Sequence, residues 1–170
     1  MNKEKEIILG IDPGTATTGW GLIEKNGKDY QLVKYGCVIT QSNKKLSKRL
    51  LEIFEQINSI IKKNNPSVVA VEQLFFFKNS KTAMAVSQAR GVIMLAIEAQ
   101  GKEFFEYTPL QIKQVMTGYG RADKKQVQNL VKSELKMKEL PKPDDAADAL
   151  AVALCYAYTN KKIRSFYATT

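Results

Sequence analysis

Four acidic residues stand where their side chains could bind divalent metal ions. Asp12 closes the first apolar run of the chain, and Glu72 directly follows a second run, VVAV. Both runs are apolar enough to be central strands, so we expect their ends to meet in the middle of one sheet. Asp145 and Asp148, three residues apart, share one face of the first turn of the last predicted helix. A carboxylate in the middle of a sheet needs a cationic partner, because an unpaired buried charge is very costly.

Each of these acids also has a purely structural interpretation when it is considered alone. Asp12 could form an Asx-turn before Pro13, Glu72 could be a solvated strand end, and Asp145 and Asp148 could cap a helix. Taken together, they make an all-oxygen site that suits Mg²⁺ or Mn²⁺ and disfavours zinc and copper. Two such ions can activate a water and stabilise the leaving oxygen of a phosphodiester. Spacing alone does not decide whether Asp144 or Asp145 is the partner of Asp148.

Composition narrows the classes of protein that are compatible with this site. Lys and Arg outnumber Asp and Glu by 26 to 17, which gives the 170-residue chain a formal charge of +9. This balance favours polyanionic partners, with nucleic acid before an anionic membrane surface, although a generic lysine-rich surface is the alternative. Histidine is absent, which excludes Ser-His and Cys-His catalysis and imidazole-bound zinc. The two cysteines are too few for a disulfide framework.

The chain length and hydropathy predict one compact domain at residues 1–159, followed by a basic C-terminal tail at 160–170. No signal peptide and no apolar stretch near the roughly 18 residues of a spanning helix are found. We therefore expect a cytoplasmic protein without a membrane partner.

Hydrophobic periodicity predicts an α/β fold with a five-stranded mixed sheet, three antiparallel strands followed by two parallel ones, and helices on both faces. Asn26-Gly27 is a strong hairpin signal, and Thr108, Pro109 and Gly118 are typical of the two ends of one helix. The predicted strands are 6–11, 19–25, 30–40, 68–71 and 103–108. The predicted helices are 44–63, 80–100, 109–117, 124–137 and 144–159.

Five motifs, in order and spacing, resemble the RuvC-type Holliday-junction resolvases of bacteria over nearly the whole chain. They are IILGIDPGTATTGWGLIE, VVAVEQLFFFKN, QARGVIMLA, YTPLQIKQVMTGYGRADKKQVQ and PDDAADALAVAL. The resemblance implies a ribonuclease H-like fold and a homodimer that nicks two opposite strands of a four-way DNA junction during homologous recombination and DNA repair. It also implies Mg²⁺ as the cofactor and branch-migration motor proteins as partners.

Carried over by motif, the resemblance makes Asp12, Glu72, Asp145 and Asp148 the catalytic metal ligands. It selects Asp145 over its neighbour and leaves Asp144 as the helix cap. Some members of the family have histidine at the position of Asp145, so the chemistry of this ligand varies more than that of the other three.

The resemblance also implies residues that contact DNA. Phe75 matches the family's junction-inserted phenylalanine, although at least one ring of the run 75–77 is expected in the core. Lys113 and Lys124 match catalytic positions near the scissile phosphate, where the alternative for any single lysine is a solvated face. We also assign Lys78 to DNA binding. The TGYG loop is expected to be flexible and to bring backbone N–H groups and Arg121 to phosphate.

The helix at 80–100 has more apolar surface than one core-facing stripe requires. Its second face could pack in the core or form an isologous dimer contact, and the family resemblance favours the dimer. Three other functions compete with a junction resolvase. They are one lobe of an actin-like ATPase, which the chain is too short to complete, a non-catalytic junction-binding module, and a nuclease for RNA–DNA hybrids.

Overall fold

The computed structural model describes residues 5–73 and 80–167, in which five strands and five helices form one α/β unit. The strands are β1 (Lys5–Asp12), β2 (Thr17–Asn26), β3 (Asp29–Ile39), β4 (Val68–Glu72) and β5 (Phe104–Tyr107). The helices are α1 (Leu46–Asn64), α2 (Ser80–Ala99), α3 (Pro109–Thr117), α4 (Lys124–Glu134) and α5 (Asp144–Tyr167).

The sheet has the order β3-β2-β1-β4-β5, with β1 in the centre. Strands β1, β2 and β3 pair antiparallel, whereas β4 is parallel to β1 and β5 is parallel to β4. The predicted mixed sheet of three antiparallel and two parallel strands is therefore confirmed. Ile11 pairs with Val71, so the next residues of the two strands, Asp12 and Glu72, lie side by side at one edge of the sheet.

Helices cover both faces of the sheet, as predicted, and each face has its own core. Alternate residues of β1 point to opposite faces. Ile8 packs in the core formed with α3, α4 and α5, while Leu9 packs in the core formed with α1 and α2. Because β1 and β4 are buried on both faces, a functional group can reach solvent from them only at the strand ends.

Glycines in β1 and β2 allow α5 to contact the sheet backbone directly. A Cβ atom on Gly10 would lie 2.0 Å from the carbonyl oxygen of Ala149, and one on Gly19 would lie 1.9 Å from that of Asp145. Gly19 is also the cross-strand partner of Asp12. The missing side chain at Gly19 therefore brings the first turn of α5 against the strand ends where the acids lie.

Several boundaries differ from the sequence prediction. The hairpin turn consists of Gly27 and Lys28, one residue later than expected, with Gly27 at a φ of 65°. Helix α4 ends at Glu134 rather than at 137, because Lys136 turns to a φ of 51°. The predicted end of the last helix at 159 is also wrong. Helix α5 continues to Tyr167, and its sequence contains no Gly or Pro that would stop it. The division into a domain and a basic tail stays a prediction.

Other local predictions are confirmed. Helix α3 begins after the N-cap Thr108, has Pro109 at its first position and ends at Gly118 with a φ of 74°. Both cysteines are free, and Cys155 is buried. Within the described part of the chain, no helix is both long enough and apolar enough to cross a membrane.

Candidate active site

The four predicted acids converge at the edge of the sheet where β1 and β4 end. Asp12 and Glu72 are the last residues of these strands, and their side chains are hydrogen-bonded to each other. Asp145 and Asp148, in the first turns of α5, lie close enough to act electrostatically on Asp12. The structure thus brings the other three carboxyl groups within electrostatic range of Asp12, although the role of the four as metal ligands stays a prediction.

The crowding of negative charge changes the acidity of this site. Burial raises the pKa of Asp12 well above its ordinary value, and the charges of Glu72, Asp148 and Asp145 raise it further. Burial also raises the pKa of Glu72 to about 7, assisted by Asp148 and opposed by the hydrogen bond from Asp12 and by nearby lysines. Ionisation of these acids is therefore opposed by burial and by their mutual repulsion, and a bound cation would relieve this opposition.

Lys124 is the cation that partly compensates the acids. Its Nζ lies 2.9 Å from Oδ2 of Asp148 and 3.4 Å from Oδ2 of Asp144. Burial alone lowers the pKa of Lys124, but the hydrogen bond to Asp148 and the charges of Asp148 and Asp144 outweigh it and raise the pKa overall. Lys124 therefore stays protonated beside the carboxylates.

A cleft of about 200 Å³ opens between α3, α4, α5 and the end of β4. It is lined by two acids, both predicted lysines and four apolar residues. Its lining is Glu72, Pro109, Ile112, Lys113, Lys124, Val127, Asp148 and Ala151. Lys113 and Lys124 come from different helices, α3 and α4. The structure nevertheless places both lysines beside Glu72 and Asp148, as predicted.

The chemistry of these donors fits a hard divalent cation. All four offer carboxylate oxygens, the ligands that Mg²⁺ and Mn²⁺ prefer, and burial together with their mutual repulsion favours a bound positive charge. Among the described residues, however, no three acidic or thiol side chains are already arranged to hold a metal ion. Glu72 is engaged with Asp12, and Asp148 with Lys124. Metal binding would therefore replace these two contacts.

The loop between α3 and α4 differs from its prediction as a flexible loop with free N–H groups. Gly118 N–H donates to the Gln114 carbonyl, Tyr119 N–H to Thr117 Oγ1, and Ala122 N–H to the Tyr119 carbonyl. These bonds fix the loop and use three of its amides. Arg121 is exposed on this loop and does not line the cleft.

Three further predictions concern positions outside or beside the site. Phe75 and Lys78, like the rest of the phenylalanine run, lie outside the described residues. Asp144 is the first helical residue of α5, and the carbonyl of Pro143 accepts the N–H groups of Ala146 and Ala147. The prediction that Asp144 caps the helix is therefore wrong by one residue. Its side chain pairs with Lys124 instead.

Comparison with known proteins decides the family. The family model for crossover junction endodeoxyribonuclease RuvC matches residues 8–156. The chain belongs to the RuvC family. It is 53% identical to a RuvC of Caldicellulosiruptor saccharolyticus over 92% of this chain and 95% of the relative. It is 54% identical to a RuvC of Clostridioides difficile over 91% of this chain and 92% of the relative.

A solved structure of this family agrees with the fold. Thermus thermophilus RuvC in complex with Holliday junction substrate superposes with a TM-score of 0.87 at 32% identity, covering 92% of this chain and 96% of that one. The ribonuclease H-like fold expected from the sequence is therefore confirmed, with a mixed sheet, a central β1 and helices on both faces.

The glycines that allow α5 to approach the sheet and position the site were not identified from the sequence. Gly10, Gly19 and Gly21 let this RuvC family member seat α5 on the sheet, and a side chain at any of them would clash with α5. The available signal was the unusual occurrence of Gly-Trp-Gly inside a strand, which marks close approach of another backbone. Identifying α5 as the approaching element required the tertiary structure.

The raised pKa of Glu72 predicts how the stability of the metal-free protein depends on pH. The folded state binds a proton at Glu72 up to about pH 7, whereas an unfolded glutamate releases it near its ordinary value of about 4.3. Between these values the folded state holds more protons, so the free energy of unfolding should fall as pH rises. Asp12 and Asp148, whose pKa values are also raised, contribute in the same direction.

Thermal unfolding in EDTA from pH 5 to pH 8 measures this effect. The melting temperature should fall across the window, and Glu72→Gln should flatten the fall. Addition of Mg²⁺ should raise the melting temperature most at pH 8, where the carboxylates are ionised. A wild-type melting temperature that rises steadily over this range in EDTA would contradict the assignment.

Proposed function

We propose that this chain is a structure-selective DNA endonuclease that resolves four-way (Holliday) junctions by paired nicks in opposite strands during homologous recombination and DNA repair. One observation carries the proposal, namely that Glu72 and Asp148 line a single cleft with Lys113 and Lys124, while Asp12 interacts with both of these acids. Membership of the RuvC family supports the same reaction, as does the T. thermophilus relative described in complex with Holliday junction substrate.

The proposed cofactor is Mg²⁺, with two ions per active site and Mn²⁺ as a substitute. Asp12, Glu72, Asp145 and Asp148 would hold the ions through carboxylate oxygens. When bound, the ions would supply an activated water and neutralise charge on the leaving oxygen. The crowding of the acids supports this proposal, because divalent cations would stabilise the ionised forms of four partly buried acids more than one lysine does.

The protein's own contribution to cleavage is to hold and orient the phosphodiester. Lys113 and Lys124 flank the acids in the cleft, so their ammonium groups are suited to bind the phosphate oxygens beside the bond that breaks. If Asp148 bound a metal ion, its ion pair with Lys124 would be replaced. The Lys124 ammonium could then bind a phosphate oxygen. We assign Arg121 to the DNA backbone further from the bond, with Phe75 and Lys78 as DNA contacts implied by the family.

Replacement of either lysine by alanine should slow cleavage. Lys113→Ala and Lys124→Ala should each lower the single-turnover rate by roughly 10²-fold, because each removes a positioned donor next to developing charge. Each should also flatten the salt dependence of binding by roughly one unit of log–log slope. Lys132→Ala, at the far end of α4, is the matched control and should change neither quantity appreciably. Unchanged single-turnover rates for both cleft variants would refute the assignment.

We propose a homodimer in which α2 meets its symmetry mate. Met84, Gln88, Gly91 and Leu95 lie at helical spacing and form an exposed stripe on α2. Met84 is 74% exposed and Leu95 60% exposed, which is more apolar surface than a solvated helix needs. A two-fold dimer across this stripe would offer one active site to each of two strands in a nearly two-fold symmetric junction.

Sedimentation at micromolar concentration tests the dimer. Wild-type protein should sediment as a dimer, and Leu95→Asp should sediment as a monomer, since it introduces two unpaired charges at a symmetric contact. Leu51→Asp alters a residue on α1 that is also exposed, so it should leave the dimer intact. A monomeric wild-type protein would count against the proposal.

One gel separates the proposed function from its rivals. The protein is incubated with Mg²⁺ and a synthetic four-way junction, a linear duplex or an RNA–DNA hybrid of matched sequence. We expect paired nicks in the junction alone. Binding without cleavage would indicate a non-catalytic module, and preferential cleavage of the hybrid would indicate a hybrid nuclease. A rise in melting temperature on addition of ATP would favour the ATPase alternative.

Action on cellular DNA would place the enzyme in the cytoplasm. The family also implies branch-migration motor proteins as partners.

A further inference from the structure

The loop between α3 and α4 holds one aromatic side chain outward. Tyr119 is 60% exposed, although its backbone is fixed on both sides. Its N–H donates to Thr117 Oγ1 at 3.1 Å, and its carbonyl accepts the N–H of Ala122 at 3.1 Å. A backbone held in this way presents its ring with little further loss of backbone entropy when a ligand binds.

The glycines on either side of Tyr119 explain why the loop has this shape. Gly118 adopts a φ of 74°, a conformation that L side chains rarely adopt. A Cβ atom on Gly120 would lie 2.7 Å from Cδ1 of Leu110, so the loop packs closely against the start of α3. Leu110 is itself 58% exposed. The loop that carries Tyr119 therefore lies against a second exposed apolar side chain.

This loop is connected to the cleft by Thr117. The Thr117 hydroxyl lies 2.8 Å from the carbonyl oxygen of Lys113 and 2.9 Å from that of Tyr119. Lys113 lines the cleft, as does Pro109 beside Leu110. Lys124, on the other side of the loop, lines it too. The loop therefore joins the two lysines of the cleft, and Tyr119 is fixed to the backbone of one of them.

We propose that Tyr119 is a positioning residue that stacks on a nucleobase next to the scissile phosphate. An exposed aromatic ring with the cationic Arg121 nearby matches a base and its phosphate, since every base offers a π face and stacking tolerates any sequence. Within a continuous duplex both faces of a base are covered by its neighbours. The contact thus requires a base that is open on one face, as at the branch point of a junction. This role of Tyr119 rests on the proposed function, and it would make Tyr119 a residue that distinguishes a junction from a duplex.

The effect of losing the ring is tested by cleavage of a junction. Tyr119→Ala should slow single-turnover cleavage by about 5- to 150-fold, the range expected for one lost base–aromatic stack. Tyr119→Phe keeps the ring and should cleave at close to the wild-type rate. Leu51→Ala, an exposed apolar residue on α1, is the control and should be unaffected. Wild-type cleavage by Tyr119→Ala, or equal damage from Tyr119→Phe, would overturn the proposal.

A second measurement does not depend on cleavage and reports stacking itself. Junctions with 2-aminopurine at single positions around the cut are bound by Asp12→Asn protein, with and without Tyr119→Ala. The fluorescence should be quenched at one or two positions on binding, and Tyr119→Ala should reverse the quenching there. A linear duplex with the same label should show no difference between the two proteins. Quenching that is identical with and without the ring would overturn the proposal, whereas a wild-type protein that never cuts junctions would overturn the proposed function.

Discussion

Asp12→Asn should abolish junction cleavage while leaving the protein folded and able to bind DNA. Asp12 is hydrogen-bonded to Glu72 and interacts electrostatically with Asp145 and Asp148, so its replacement removes one carboxylate donor of the proposed metal site. We expect the single-turnover rate in Mg²⁺ to fall by at least about a thousandfold, equivalent to about 4 kcal/mol of transition-state stabilisation. The fold should survive, because asparagine has nearly the size and shape of Asp12 and its amide can hydrogen-bond to Glu72.

The same substitution should stabilise the metal-free protein. Burial and three neighbouring acids raise the pKa of Asp12, so keeping this group ionised at neutral pH opposes folding. A neutral asparagine removes that opposition, and the melting temperature in EDTA at pH 8 should rise. A gain in stability together with a loss of activity is the expected signature of a functional site that costs stability.

Paired measurements of rate and melting temperature test both expectations. Asp29→Asn is the control, because Asp29 is an exposed acid at the start of β3. It should change neither the rate nor the melting temperature appreciably. An Asp12→Asn protein that cuts branched DNA at full rate would remove the basis of the proposed metal site.

The position of the acids could be predicted from the sequence because strand ends follow simple rules. Asp12 and Glu72 each follow a short apolar run, and two central strands must end at the same edge when they are parallel. The register pair of Ile11 with Val71 bears this out. The pairing needed no knowledge of side-chain packing, and the same reasoning gave the mixed character of the sheet.

Features that depend on contacts between distant segments could not be predicted. The ion pair of Lys124 with Asp144 and Asp148 requires α4 to reach the start of α5, and no local pattern sets that distance. The TGYG segment has the composition of a flexible loop, yet Thr117 and Gln114 bind its amides. The end of α5 was placed too early because a basic, polar composition was taken as a sign of a tail.

Gly19→Ala should damage both stability and catalysis, because it alters the contact that positions the metal site. The added Cβ atom would lie 1.9 Å from the carbonyl oxygen of Asp145, a backbone atom that cannot rotate away. Helix α5 must move or the sheet must distort, and overpacking of this kind costs about 1–3 kcal/mol or more. The displaced first turn carries Asp145 and Asp148. A shift of about 1 Å can cost roughly 10²-fold in rate, so the folded protein should also cleave slowly.

Gly21→Ala separates the two effects, because it lies in the same strand and also faces α5. Its Cβ atom would meet the Cδ2 and Cγ atoms of Leu150 at 2.5 and 2.7 Å, whereas the backbone nitrogen of Leu150 is 3.2 Å away. A change in the leucine side chain can therefore take up more of the clash than the carbonyl of Asp145 can. We expect Gly21→Ala to lose stability but to keep more of its cleavage rate than Gly19→Ala. Urea unfolding at fixed protein concentration and single-turnover cleavage well below the melting temperature measure the two quantities. Equal rates for the two variants would mean that seating α5 on Gly19 does not set the geometry of the acids, and that the site tolerates a displaced helix.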